Sequence, residues 1–132
     1  MTADEVIYLE LDDVVRLYAR IFGIDEKAAE NELRDPAALE GALERPRQHA
    51  TYRSADLASQ ASILAHGVAQ SQSFVDGNKR TALIVMTTFL AINGWDVLLP
   101  DAELAQSIIA FAEGADPFDL AEVLRGSLSA RD

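Results

Sequence analysis

Apolar residues recur at helical spacing through most of the chain, and caps, prolines and glycines mark the breaks. Val14, Val15, Tyr18, Ile21 and Phe22 form one stripe, opened by Asp12 or Asp13 as a cap and closed by Gly23. Asp25 to Leu33 is a weaker, more polar helix or turn. Asp35-Pro36 pairs a cap with proline at the first helical position and predicts a short helix through Leu43, which Pro46 is expected to end. Ser54 or Asp56 starts the next helix, with Leu57, Ala61, Leu64 and Val68 on one face. The run from Thr81 through Ala82, Leu83, Ile84, Val85, Met86, Phe89 and Leu90 is apolar on almost every side, which places its helix in the middle of a bundle. Asn93-Gly94 is a left-handed stop. Asp101 caps a helix bearing Leu104, Ile108, Ile109 and Phe111 and stopped by Gly114; Asp116-Pro117 opens a last helix with Phe118, Ala121 and Leu124. Val6 to Leu11 alternates loosely and reads as a short strand or extended arm. Trp95 to Leu99, ended by Pro100, is a second extended piece that can pair with it, and the tail after Gly126 is expected to fray. The pattern predicts an all-α bundle of about six helices around a buried central helix, in one domain spanning 1–132.

Composition narrows the function. A chain of 132 residues, 49% of them hydrophobic, supports one globular core. The formal charge of -11 repels nucleic acid, and the one basic cluster worth checking, Arg45, Arg47 and Arg53, is small. With no cysteine, neither a disulfide framework nor a thiolate zinc site is possible. The neighbourhood of Asp4 and Glu5 is acidic where a secretory leader needs basic residues, and no apolar run is long enough to span a bilayer. The expectation is a cytoplasmic protein with no nucleic-acid or membrane partner.

The chemistry concentrates in Gln72-Ser73-Phe74-Val75-Asp76-Gly77-Asn78-Lys79-Arg80-Thr81. An acid, a glycine, an amide, two cations and a hydroxyl precede the most apolar helix. Unpaired N–H groups and the helix dipole make such a junction a ready anion site. Gly77 lets the backbone approach a ligand, Lys79 and Arg80 add positive charge, and Asp76 can hold a divalent cation against a phosphate. From these residues alone, an ordinary helix N-terminus with Asp76 as cap and two solvated cations explains the stretch equally well.

The same residues resemble the signature of the Fic/Doc family, His-x-Phe-x-acid-Gly/Ala-Asn-x-Arg. Phe74, Asp76, Gly77, Asn78 and Arg80 match at the right spacing, and Lys79 is similar to the Doc (death-on-curing) branch. The family's histidine falls on Gln72. Arg34-Asp35-Pro36 with Leu39 to Leu43, the Asp56 to Ala69 helix, and Leu90 to Trp95 are also Doc-like, so the resemblance covers nearly the whole chain. It implies a helical bundle with a small β flap beside the loop, carried onto Ala50, Thr51 and Tyr52, which docks the target or partner segment by strand addition. A surface loop explains those three residues as well.

The resemblance further implies ATP and Mg2+ over the loop, with Asp76 on the metal, Gly77, Asn78 and the backbone forming an anion pocket, and Lys79 and Arg80 on phosphate oxygens. In the Doc branch the terminal phosphoryl group goes to a hydroxyl of a translation factor, elongation factor Tu, and an antitoxin protein restrains the toxin; most Fic proteins transfer AMP instead. Gln72 stands where the general base is needed, and a carboxamide cannot store a proton. Phosphoryl transfer leans heavily on positioning and charge neutralisation, so a slow enzyme remains compatible with Gln72. Three explanations stay open: a degenerate member that binds without fast transfer, a histidine replaced to silence a toxic parent, or a pocket turned to other chemistry or to antitoxin binding alone. His66, six residues before Gln72, reads as a structural donor, and His49 lies near the expected flap. Ser71, Ser73 and Gln70 surround the missing base with hydroxyls and an amide.

Overall fold

The computed structural model describes residues 5–132 and places seven helices and one two-stranded sheet among them. The acidic stretch that argues against a leader lies partly outside the described residues. In chain order the elements are α1 (Leu11–Phe22), α2 (Glu26–Glu32), α3 (Pro36–Arg53), α4 (Leu57–Ser71), α5 (Asn78–Ile92), β1 (Trp95–Val97), α6 (Asp101–Phe111), α7 (Pro117–Arg125) and β2 (Leu128–Ala130).

α4 and α5 pack on each other at the centre, with α3 and α7 against α4, and α1 and α6 against α5. Every residue of α4 from Ala58 to Val68 is buried except His66. α5 buries Thr81, Ala82, Leu83, Val85, Met86, Phe89 and Leu90, while Ile84, Thr87, Thr88, Ala91 and Ile92 leave a partly open stripe. The expected central helix is therefore one of two, and α4 is the more enclosed.

Local signals fixed most boundaries. Gly23 takes φ 65 and ends α1, Asp35 caps α3 with Pro36 inside, Asp56 caps α4, and Asp116 caps α7 with Pro117 inside. α1 begins one residue before the expected cap: its N-cap is Glu10, whose N–H donates to the Asp13 carboxylate at 2.9 Å. α6 is capped by Pro100, with Asp101 as its first residue. Of the two candidate starts for α4, Ser54 instead ends α3 in the left-handed region, at φ 52.

Four expectations are corrected. Pro46 does not end α3: the helix runs on to Arg53, and Leu39, Ala42, Leu43 and Pro46 form one buried stripe. Proline in a helix interior costs ~3 kcal/mol, and burying a single leucine returns roughly 1.5–3 kcal/mol, so the stripe outweighs the break. Ala50, Thr51 and Tyr52 consequently lie in the last turns of α3 and not in a β flap; Thr51 Oγ1 donates to the Arg47 carbonyl at 3.0 Å, a bond within the helix. The arm from Val6 to Leu9 forms no strand. Asn93, buried at the end of α5, holds it with its side chain: Oδ1 accepts from Ile7 N at 2.8 Å and Nδ2 donates to Ile7 O at 2.9 Å. With that arm held by an amide, β1 pairs antiparallel with β2, Trp95 opposite Ala130 and Val97 opposite Leu128. The tail after Gly126 is therefore an ordered strand.

Candidate functional site

The loop between α4 and α5 is built on an aromatic base. Phe74 is fully buried and stacks on Tyr18 of α1, the ring centroids 4.1 Å apart and the planes 7° from parallel. Tyr18 in turn meets Phe22 at 4.5 Å and donates its hydroxyl to the Asp76 carbonyl at 3.1 Å. Burial, then the nearby carboxylates of Glu32 and Asp76, push the Tyr18 phenol above its ordinary pKa, which keeps it a donor. Antiparallel contact with the α2–α3 connection holds the other side. Ser73 O accepts from Arg34 N at 2.9 Å and Asp35 N at 3.1 Å, and Val75 N donates to Glu32 O at 2.9 Å. The Arg34-Asp35-Pro36 segment thus serves both as the cap of α3 and as a rail for the loop.

Asn78 closes the turn. Its Oδ1 accepts from Phe74 N and its Nδ2 donates to Phe74 O, both at 3.0 Å. The carboxamide works as a two-point staple on the backbone, where the sequence suggested an anion contact. Gly77 takes φ 75 and serves as the N-cap of α5 without a side-chain cap. It lies against Phe22: a Cβ at Gly77 would clash with the outer edge of the Phe22 ring. Thr81 N and Oγ1 both donate to Gly77 O, at 2.9 and 2.8 Å.

These bonds leave the first turn of α5 open. Among the described residues nothing accepts from the N–H groups of Asn78, Lys79 and Arg80. Lys79 and Arg80 are exposed and form no ion pair with a described residue. Arg80 lies over the Phe22 ring, 5.3 Å from its centroid. Asp76 is exposed, and one carboxylate oxygen accepts from Gly77 N at 2.8 Å. Dipole, free amides and two cations therefore favour an anion here. Gln72, Val75, Asp76, Lys79 and Arg80 are all exposed, so this face of the loop is open to solvent.

Gln72 ends α4 in the left-handed conformation, φ 47, with its side chain exposed. Its neighbours are committed elsewhere. Ser73 Oγ donates to Ser71 Oγ at 2.6 Å, Ser71 Oγ to Val68 O at 2.9 Å, and Gln70 Nε2 to Phe111 O at 3.0 Å. Neither histidine substitutes for a base. His66 packs edge-on against Phe111 and contacts Arg45 at 3.4 Å, with burial and then Arg45 lowering its pKa. His49 lies at the junction of α3, α4 and α7, facing Phe118. The expected docking residues Ala50 and Thr51 line a separate cleft of about 650 Å³ with Val6, Tyr8, Arg47 and Gln60, whose walls are largely polar; Tyr52 is 83% exposed. The aromatic base of Tyr18 and Phe22 escaped sequence reasoning, because both lie on the stripe that predicts α1 as a core helix.

No helix among the described residues is long and apolar enough to cross a membrane, and no group of three or more His, Cys, Asp or Glu side chains gathers to hold a metal. The model of the Fic/DOC family matches residues 8–90, well over half of the chain. The toxin Doc of Mycolicibacterium smegmatis is 37% identical over 91 residues, a stretch covering 66% of this chain and 65% of that protein. The chain thus matches just under two thirds of that relative's length. The family match spans α1 through most of α5 and includes the loop with its aromatic base, and on that ground the chain belongs to the Fic/DOC family.

Proposed function

We propose that this chain is a Doc-like toxin-type protein that binds a nucleoside triphosphate at the 72–80 loop, with transfer to a protein hydroxyl impaired by Gln72. The observation that carries the reading is the first turn of α5, where, among the described residues, three backbone amides have no acceptor and the two cations beside them have no ion-pair partner. Such an arrangement neutralises phosphate oxygens with groups that need no rearrangement on binding. Lys79 and Arg80 would take the terminal phosphates, beside the free amides of the first turn. The donor set fits Mg2+ as shared between protein and nucleotide: one exposed carboxylate, Asp76, suits a cation that takes most of its oxygens from phosphate and water. When bound, Mg2+ would neutralise phosphate charge.

Without a base at Gln72, the target hydroxyl keeps its proton until late in the attack. General-base help is worth roughly 10²–10⁴-fold, so residual transfer should be slow, and positioning by Lys79 and Arg80 should dominate what is left. A translation factor is the proposed class of target, and an antitoxin-type protein the proposed restraint.

The experiment is the Gln72→His variant, compared with the parent for growth arrest on expression and for nucleotide-dependent modification of a translation extract. Gain of either supports an intact but base-deficient machine. Absence of both, with ATP still bound, moves the reading to a binding protein.

A further inference from the structure

A second cleft, of about 410 Å³ and mainly apolar in its exposed walls, lies at the opposite end of α4 from the loop, where the C-terminus of α3 meets the N-terminus of α4 and the side of α7. His49, Arg53, Ser54, Ala55, Ser59, Phe118 and the Asp56–Arg125 pair line it. Its charges are not equally available. Arg125 gives Nε and one Nη to Asp56, at 2.8 and 3.2 Å, and shares that Nη with Ser59 Oγ at 3.2 Å. Asp56 also caps α4 through Ser59 N at 2.9 Å. The two opposite charges of that pair largely offset each other. Arg53 is exposed and pairs with no described carboxylate, so one positive charge remains.

His49 supplies the second half. Its Nδ1 is buried and has no hydrogen-bond partner. A buried N–H without an acceptor costs more than a buried lone pair, so the proton belongs on Nε2, the other nitrogen of a ring that lines the cleft. Burial, then the charges of Arg45 and Arg53, hold the ring below its ordinary pKa, which keeps this tautomer neutral near pH 7. The cleft therefore offers one guanidinium, one neutral N–H donor and an apolar wall from Ala55 and the 44%-exposed Phe118 ring. A dianion would find too little charge. A monoanion on an apolar body matches each wall in turn.

We propose that this cleft binds a carboxylate carried on an apolar or aromatic group, with Arg53 as counter-ion, His49 Nε2–H as neutral donor and Phe118 as the packing surface. Two sources share that chemistry: a free small organic acid and the carboxyl terminus of a peptide ending in an apolar residue. The volume suits either, since sites for small ligands begin at about 300 Å³. The site is separate from the 72–80 loop and does not rest on nucleotide binding there.

The test is an NMR titration of the full chain at constant ionic strength, following the His49 ring signals, with His66 as internal control. The probes are benzoate, its uncharged analogue benzamide, N-acetylphenylalanine and inorganic phosphate. Benzoate should give a saturable shift at His49 and leave His66 in place, and benzamide should give none. Arg53→Ala, on an exposed side chain that leaves the fold intact, should weaken benzoate roughly tenfold, the loss of one charge-assisted pair. Phe118→Ala should weaken it less. Tighter binding of N-acetylphenylalanine than of benzoate assigns the cleft to peptide termini, and the reverse to small acids. A benzoate response that does not saturate, that survives Arg53→Ala unchanged, or that phosphate exceeds overturns the proposal.

Discussion

Asn78 shows how much a single side chain sets. Its carboxamide makes both of its backbone bonds to Phe74, at 3.0 Å each. Asn78→Ala removes both and strands two backbone groups, a cost of about 1–3 kcal/mol for each group left buried. Thermal unfolding should fall by several degrees, and ATP binding should weaken with it because the loop loses its shape. Asn78→Asp keeps the acceptor and loses the donor, so its unfolding temperature should lie between the two. Gly77 sets the loop by having no side chain. It combines a positive φ with direct contact on Phe22, so Gly77→Ala should destabilise by about 2 kcal/mol or more. A double-mutant cycle with Phe22→Leu should recover part of that cost, whereas strict additivity would place the clash elsewhere. Motif matching marked these residues as a candidate site. It did not reveal that the Asn78 side chain turns back onto the Phe74 backbone four residues away, a matter of rotamer, or that Phe22 meets Gly77 and Arg80 from far along the chain.

Elements were legible where a short signal governs them. Asp35-Pro36 and Asp116-Pro117 each combine a side-chain acceptor with a residue that lacks an N–H, and both mark helix starts in the structure. Pro46 misled because the local rule was opposed by burial of Leu39, Leu43 and its own ring against α4, and the lost flap at Ala50, Thr51 and Tyr52 follows from that error. β1 and β2 have three residues each, too few for an alternating pattern, and their pairing joins segments on either side of α6 and α7. Asp56 carries the prediction at this scale. Hydrogen bonds from Arg125 lower its carboxyl from 3.8 to about 2. A depressed acid contributes stability above its unfolded value and loses it as pH falls through the folded one. Denaturant midpoints measured from neutral pH down to about 2 should fall more steeply for the parent than for Asp56→Asn, which keeps the cap but not the charge. The contribution is modest, because both side chains are about half exposed. Parallel curves would remove Asp56 as the titrating group.

For the whole molecule, a formal charge of -11 sets the background against which every anion site must work. The general field repels a triphosphate, so the proposed binding at α5 would have to come from local donors: the helix terminus, Lys79, Arg80 and a shared divalent ion. Such binding should be sensitive to the removal of either cation and to the chelation of Mg2+. The measurement that tests this most directly is a titration of the isotope-labelled chain with ATP and Mg2+, read at the backbone amides of Gly77, Asn78, Lys79 and Arg80. The account predicts saturable shifts confined to that turn, weakened by chelating the metal and lost in Lys79→Ala/Arg80→Ala while the fold persists. Amides that stay unmoved at millimolar nucleotide, or that move equally in the double variant, would contradict it.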